Sequence, residues 1–223
     1  MKTITELMMK IEDVVPKLEG WCDVYKAQHL AAMVISMRPK VTVEIGVFGG
    51  RSLCPISMAH SFIESGYALG IDPWASSASL DGMDGENKQW WGSLDHEAIY
   101  AGFMSASARL RADGFLKVIR STSSEAVNPL LGHDVPHEID LLHIDGSHSD
   151  SASCHDVRFY GRRVRIGGIC IMDDIDWASK AAAMLPAAGY RELYKLGTGA
   201  VFQREDAMST KNYKDFWLLS SGF

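Results

Sequence analysis

No apolar run in the sequence approaches the ~18 residues that a membrane-spanning helix requires, so an integral membrane protein built of helices is excluded. Basic residues are in the minority: 22 Lys plus Arg stand against 28 Asp plus Glu, a formal charge of −6. Electrostatic capture of nucleic acid is disfavoured by that balance. Cysteine is scarce. Cys22, Cys54, Cys154 and Cys170 stand alone, with no C-x-x-C and no paired spacing, and read as reduced, buried thiols of a cytoplasmic protein. The first twenty residues mix acids among apolar positions and lack a continuous apolar core, so they do not read as a signal peptide. Internal repeats, low-complexity tracts and like-charge blocks are missing, and no Pro/Gly/Ser linker divides the chain. What remains is 223 residues, 47% hydrophobic and 22% charged. That describes a single soluble domain, long enough to bury a substantial core.

Periodicity supplies the architecture. Ile4, Leu7, Met8, Ile11 and Val15 fall at helical spacing up to Pro16, and a second helix is predicted from Val24 to Met37, stopped at Arg38-Pro39. Five short runs follow, at 41–47, 67–72, 115–121, 139–146 and 167–174, each apolar on both faces and spaced for a helix between. This pattern belongs to a parallel sheet covered on both sides. Two last runs, 190–196 and 199–205, are separated by little more than Gly197-Thr198 and predict a closing hairpin. The predicted fold is α/β: a doubly wound, mostly parallel seven-stranded sheet with an antiparallel C-terminal hairpin. Residues 1–38 would form N-terminal helices, 39–206 the core, and 207–223 a tail. Residues 74–100 break the rhythm as a long, polar, tryptophan-bearing insertion, expected to be irregular and lid-like or to pack between subunits. The N-terminal helix either meets a second copy of the chain or docks on its own domain.

In an open parallel sheet, ligands bind beyond the carboxyl ends of the strands. The first strand ends in Glu44-x-Gly46-x-x-Gly49-Gly50. This is either a loop whose backbone approaches a ligand or a tight turn. Phe48 replaces the second glycine of a dinucleotide fingerprint, and the lysine of a P-loop is missing. Asp72 ends the second strand and either accepts from a ribose diol or serves a turn. After the third strand come Ser121, Thr122, Ser123, Ser124 and Glu125, where Ser123 and Ser124 are expected to cap a helix. The fourth strand delivers His143-Ile-Asp145-Gly-Ser-His148, and the fifth Asp173-Asp174. Three converging carboxylates either share protons, bind a cation, or divide between capping and solvent. An all-oxygen set favours Mg²⁺ or Ca²⁺. Adjacent side chains on a strand point oppositely, so Asp173 and Asp174 share an ion only where the strand has ended. His148 is either a base beside the cluster or a surface-loop histidine. His143 is expected in the core or a wall.

The segments VEIGVFGGRS, GIDPW, LLHIDGSHS, the following Asp156, and GGICIMDDIDW resemble class I S-adenosylmethionine-dependent methyltransferases. More narrowly, they resemble the Mg²⁺-dependent O-methyltransferases of the macrocin and mycinamicin type, over roughly residues 20–205. The resemblance implies cofactor contacts at Glu44, Gly46, Gly49, Ser52, Asp72, Ser121 and Asp145. It also implies metal ligands Asp145, Asp173 and Asp174 (for Mg²⁺, or Ca²⁺ or Mn²⁺), and His148 as catalytic base. The implied activity is O-methylation of a hydroxyl on a small molecule or glycan, with no nucleic-acid or membrane partner. That subgroup can carry Glu-Asp where this chain has Asp173-Asp174, and its N-terminal regions are longer. Two other functions fit the same residues: a metal-dependent hydrolase or hydroxylase, and a non-catalytic module on the methyltransferase scaffold.

Overall fold

A computed structural model describes residues 3–81, 83–110, 112–147 and 149–206. Thr3 caps the first helix, α1 (Ile4–Val14), in a reciprocal box with Glu6. Helix α2 (Val24–Met37) is capped by Asp23 and ends on Arg38 in the left-handed region, φ 48°, immediately before Pro39. The alternating order then begins with β1 (Val41–Ile45), α3 (Leu53–Ile63) and β2 (Tyr67–Ile71). The 74–100 stretch is not the irregular insertion expected. It holds two short helices, α4 (Ser76–Ser79) and α5 (Gly85–Gly92), and the start of α6 (His96–Arg109). β3 (Leu116–Ile119), α7 (Ser123–Ala126), β4 (Ile139–Ile144), α8 (Asp150–Phe159), β5 (Val164–Met172), α9 (Ser179–Ala187), β6 (Tyr190–Leu196) and β7 (Gly199–Arg204) complete the described chain.

These strands form one sheet in the order β3-β2-β1-β4-β5-β7-β6. β1 to β5 are parallel, and β7 runs antiparallel to both β5 and β6. The predicted hairpin therefore forms, with its second strand inserted inside. Sequence explains that choice: Gly199-Ala-Val-Phe202 is buried, whereas Arg191 to Lys195 on β6 is charged and exposed. A strand buried on both faces belongs inside a sheet, and a charged one protects an edge.

Two apolar clusters flank the sheet. One joins Leu7 and Ile11 of α1, Leu30 and Val34 of α2, Leu53 and Ile56 of α3, and Phe103 of α6. The other joins Val157 and Tyr160 at α8 with Ala181, Met184 and Leu185 of α9. The apolar face of α1 thus docks on its own domain. All four cysteines are buried and free. Among the described residues, no helix is long and apolar enough to cross a membrane.

Candidate active site

β2 and β4 flank β1, and the chain departs in opposite directions around it. A crevice therefore opens beyond the carboxyl ends of these strands. Here it is a cleft of about 1290 Å³, reached by the loops after β1, β2, β3, β4 and β5. At its floor β1 and β4 end side by side, with the Asp145 N–H donating to the Ile45 carbonyl at 2.8 Å. Gly46 leaves β1 at φ 84°, and any side chain there would run into the Asp145 carbonyl. Only glycine satisfies both conditions.

The loop after Gly46 is braced by Asp72. Its Oδ2 accepts from the Val47 and Phe48 amides at 2.9 and 3.0 Å, and Oδ1 accepts from the Trp74 amide at 2.7 Å. A carboxylate offers about four acceptor positions, so three are spent on the protein itself. One remains for a ligand, rather than the pair that a diol contact was expected to use. Phe48, Trp74 and Asp174, each leaving a strand end on the cleft, have positive φ values of 50°, 42° and 46°. Non-glycine residues in that region gather where a site dictates backbone shape. Trp74 secures the arrangement: it is 2% exposed, its Nε1–H donates to the Phe48 carbonyl at 2.8 Å, and its ring packs on Tyr100 and Phe103. It is a core bolt rather than part of a lid.

Beneath the cleft runs a buried polar chain. The Ser52 hydroxyl donates to Glu44 Oε1 at 2.9 Å, and Glu44 Oε2 lies 2.9 Å from His143 Nδ1. His143 Nε2 lies 3.2 Å from Asp173 Oδ2, which also pairs with the Lys26 ammonium. Glu44 and His143 are register partners on β1 and β4, which explains their meeting. Burial pushes the Glu44 carboxyl up to about 8, against the Ser52 hydrogen bond and the Lys26 charge. Burial, then the Lys26 charge, pushes His143 down to about 3. At neutral pH the pair therefore holds one proton on Glu44 and a neutral imidazole. The consistent assignment has the Glu44 hydroxyl donating to Nδ1 and Nε2–H donating to Asp173. Burial also raises the Asp145 carboxyl.

His143, Asp145 and Asp173 each offer a donor atom within 4.8 Å of the others. Asp174 lines the same cleft, and because β5 ends at Met172 both acids of the pair lie beyond the strand. Asp173 Oδ1 is buried with no hydrogen-bond partner among the described residues. A set of aspartate oxygens with one such unpartnered atom fits a hard divalent cation.

The other expected contacts divide. Gly46, Ser52, Asp72 and Asp145 line the cleft. Glu44 lies under it, and Gly49 packs against the Glu19 backbone. The Ser121 hydroxyl turns to Glu125 at 3.3 Å, leaving Thr122, Ser123 and Ser124 at the cleft surface. The helix cap is Thr122, boxed with Glu125, rather than Ser123 or Ser124. His148 lies outside the described residues, as does the 207–223 tail. His143, expected in the core or a wall, joins the cluster: it stands on β4 two residues before Asp145, which lies just past the strand's end, and alternate positions along the chain there share a side. Lys26 and Trp21 carried no local signal. Trp21 packs at a tilt on Phe48 (5.1 Å between ring centres) and edge-on against Trp90 (5.4 Å), joining the segment before α2 to α5 at the cleft mouth.

The model of a family described as a methyltransferase domain matches residues 43–175, more than half of the chain. No curated protein matches the sequence. Among solved structures, the chain is similar to the O-methyltransferase TomG of Streptomyces achromogenes, which takes part in tomaymycin synthesis and was crystallised with S-adenosylmethionine. The identity is 12%, the TM-score 0.61, and 90% of each chain is covered. It is also similar to an O-methyltransferase from Bacillus cereus bound to S-adenosylhomocysteine, at 13% identity and TM-score 0.61, covering 90% of this chain and 91% of that one. A calicheamicin methyltransferase aligns at 15% identity and TM-score 0.63, over 91% and 93%.

Proposed function

The chain belongs to the methyltransferase-domain family, and from that premise we propose that it methylates a hydroxyl of a small molecule or glycan, using S-adenosylmethionine and a divalent cation. The observation that carries the proposal is the gathering of Asp145, Asp173 and Asp174 on the same cleft as the Gly46–Phe48 loop. Support for the cofactor comes from relatives of the same fold crystallised with it or its product.

In this reading the Gly46 loop and the remaining acceptor position of Asp72 hold the cofactor, and Asp145, Asp173 and Asp174 hold the ion. When bound, S-adenosylmethionine supplies an electrophilic methyl group, and Mg²⁺ supplies a Lewis acid that lowers the pKa of a coordinated hydroxyl. The chain's own residues contribute orientation and charge. His143, neutral and gripped at both ring nitrogens, fixes the Asp173 carboxylate without adding charge. Burial of Glu44 in its protonated form avoids a further anion beneath the cluster. His148 is the proposed base that accepts the acceptor's proton. Trp21, Phe48, Trp90 and Trp91 give the mouth an apolar rim that limits water once an acceptor is seated.

Calorimetric titration with S-adenosylhomocysteine should give saturable binding in the wild type and in Asp145→Ala. That variant should lose about 100-fold or more of Mg²⁺-dependent methylation across a panel of polyhydroxylated acceptors. A flat titration of the wild type would exclude the cofactor, and with it distinguish a hydrolase or hydroxylase. Full methylation by Asp145→Ala would remove the ion from the mechanism.

A further inference from the structure

The cation that the structure places against the acidic cluster belongs to the chain itself. Lys26 sits in the first turn of α2, where its own N–H donates to the Asp23 cap at 2.7 Å. The helix is held against the sheet by Ala27, Leu30, Ala31 and Val34. From this anchored position the side chain enters the cleft and pairs with Asp173 Oδ2, leaving the two side chains only 15% and 3% exposed. Oδ2 therefore serves Lys26 and His143 together. One ammonium, reaching across from an element outside the sheet, balances carboxylates that would otherwise repel one another.

We propose that Lys26 is a tethered counter-ion that competes with the divalent cation for Asp173. Without the ion it keeps the ligand set assembled; with the ion bound, its ammonium leaves Oδ2. The inference rests on the ion-dependent reading above. Its physical basis is that an ammonium on Oδ2 and a dication taken by the unpartnered Oδ1 would be like charges held within contact distance by one carboxylate. The ion's affinity is then set partly by a helix that contributes no ligand. Ion binding should release the Lys26 side chain from the floor of the cleft while α2 stays docked through its apolar face.

The test titrates the full chain with MgCl₂ or MnCl₂ alone, at one pH and without cofactor, for wild type, Lys26→Met and Lys26→Arg. Melting curves are recorded in parallel. Lys26→Met should bind the ion about tenfold more tightly or better, with Lys26→Arg close to wild type. Without the ion Lys26→Met should melt below wild type, and saturating ion should raise its Tm by more than it raises that of wild type. Binding by Lys26→Met alone is the same result in its extreme form. Equal or weaker affinity in Lys26→Met, with wild type binding, overturns the competition and leaves the ion-dependent reading standing. Absence of binding in all three overturns both. Should Lys26→Met not fold, Lys26→Gln against Lys26→Arg carries the same comparison.

Discussion

Asp156, on α8, is buried, with Oδ1 unpartnered among the described residues, and it lines the cleft beside Ser123. Burial raises its carboxyl from 3.8 to about 7, against a Ser123 hydrogen bond. The unfolded chain releases this proton near 3.8 while the folded protein keeps it to about 7, so the folded state binds the extra proton across that window. Stability from this group is full below the lower value and falls as pH rises toward the upper one. Asp156→Asn cannot ionise. Its Tm should decline less than that of wild type between about pH 4 and 7, and at neutral pH it should melt no lower. Parallel pH profiles for the two proteins would show that Asp156 ionises normally in the fold. The same arithmetic accounts for the buried chain from Ser52 to Lys26. With Glu44 protonated and His143 neutral, it carries one anion, Asp173, and one cation, Lys26. A buried network is stable only when each member has its partner.

At the level of elements, the loop after β1 depends on the loop after β2. The Val47, Phe48 and Trp74 amides all converge on one carboxylate, and Trp74 returns a hydrogen bond to the Phe48 carbonyl. Asp72→Ala strands those three amides and should cost about 3 kcal/mol in urea unfolding, with the heat of S-adenosylhomocysteine binding lost as well. A loss under about 1 kcal/mol would mean that water replaces the carboxylate readily and that the loop holds its shape without it. The 74–100 segment also acts as an element. Trp74 fixes one end in the core, and α5 presents Trp90, 45% exposed, to Trp21, which is 63% exposed. Large exposed rings facing one another across a cleft mouth form a surface suited to an apolar or sugar face.

For the whole molecule, the N-terminal helices are a structural layer as much as a flank. Leu7, Ile11, Leu30 and Val34 are fully buried in the cluster that covers one face of the sheet. A parallel sheet with one face bare has no soluble solution. Deleting residues 1–38 should abolish the cooperative thermal transition followed by circular dichroism. A truncated chain that melts cooperatively near the wild-type Tm would show that α3 and α6 suffice to cover that face. The deletion would also remove Lys26, so layer and site are joined in one element.

The seven strands, their order along the chain and the closing hairpin were legible because β-branched runs bounded by glycine and polar residues encode a strand buried on both faces. The acidic residues were legible because Asp72, Asp145, Asp173 and Asp174 fall at strand ends, where such a sheet binds ligands. The partners of those residues were not. Glu44 meets His143 only through the β1–β4 register, and Lys26 meets Asp173 only because α2 packs against the sheet 147 residues away in sequence. Local pattern determines which residues a strand delivers and to which end. Long-range packing decides which charges then touch, since a side chain's partner depends on how separate elements dock and is written into neither segment alone.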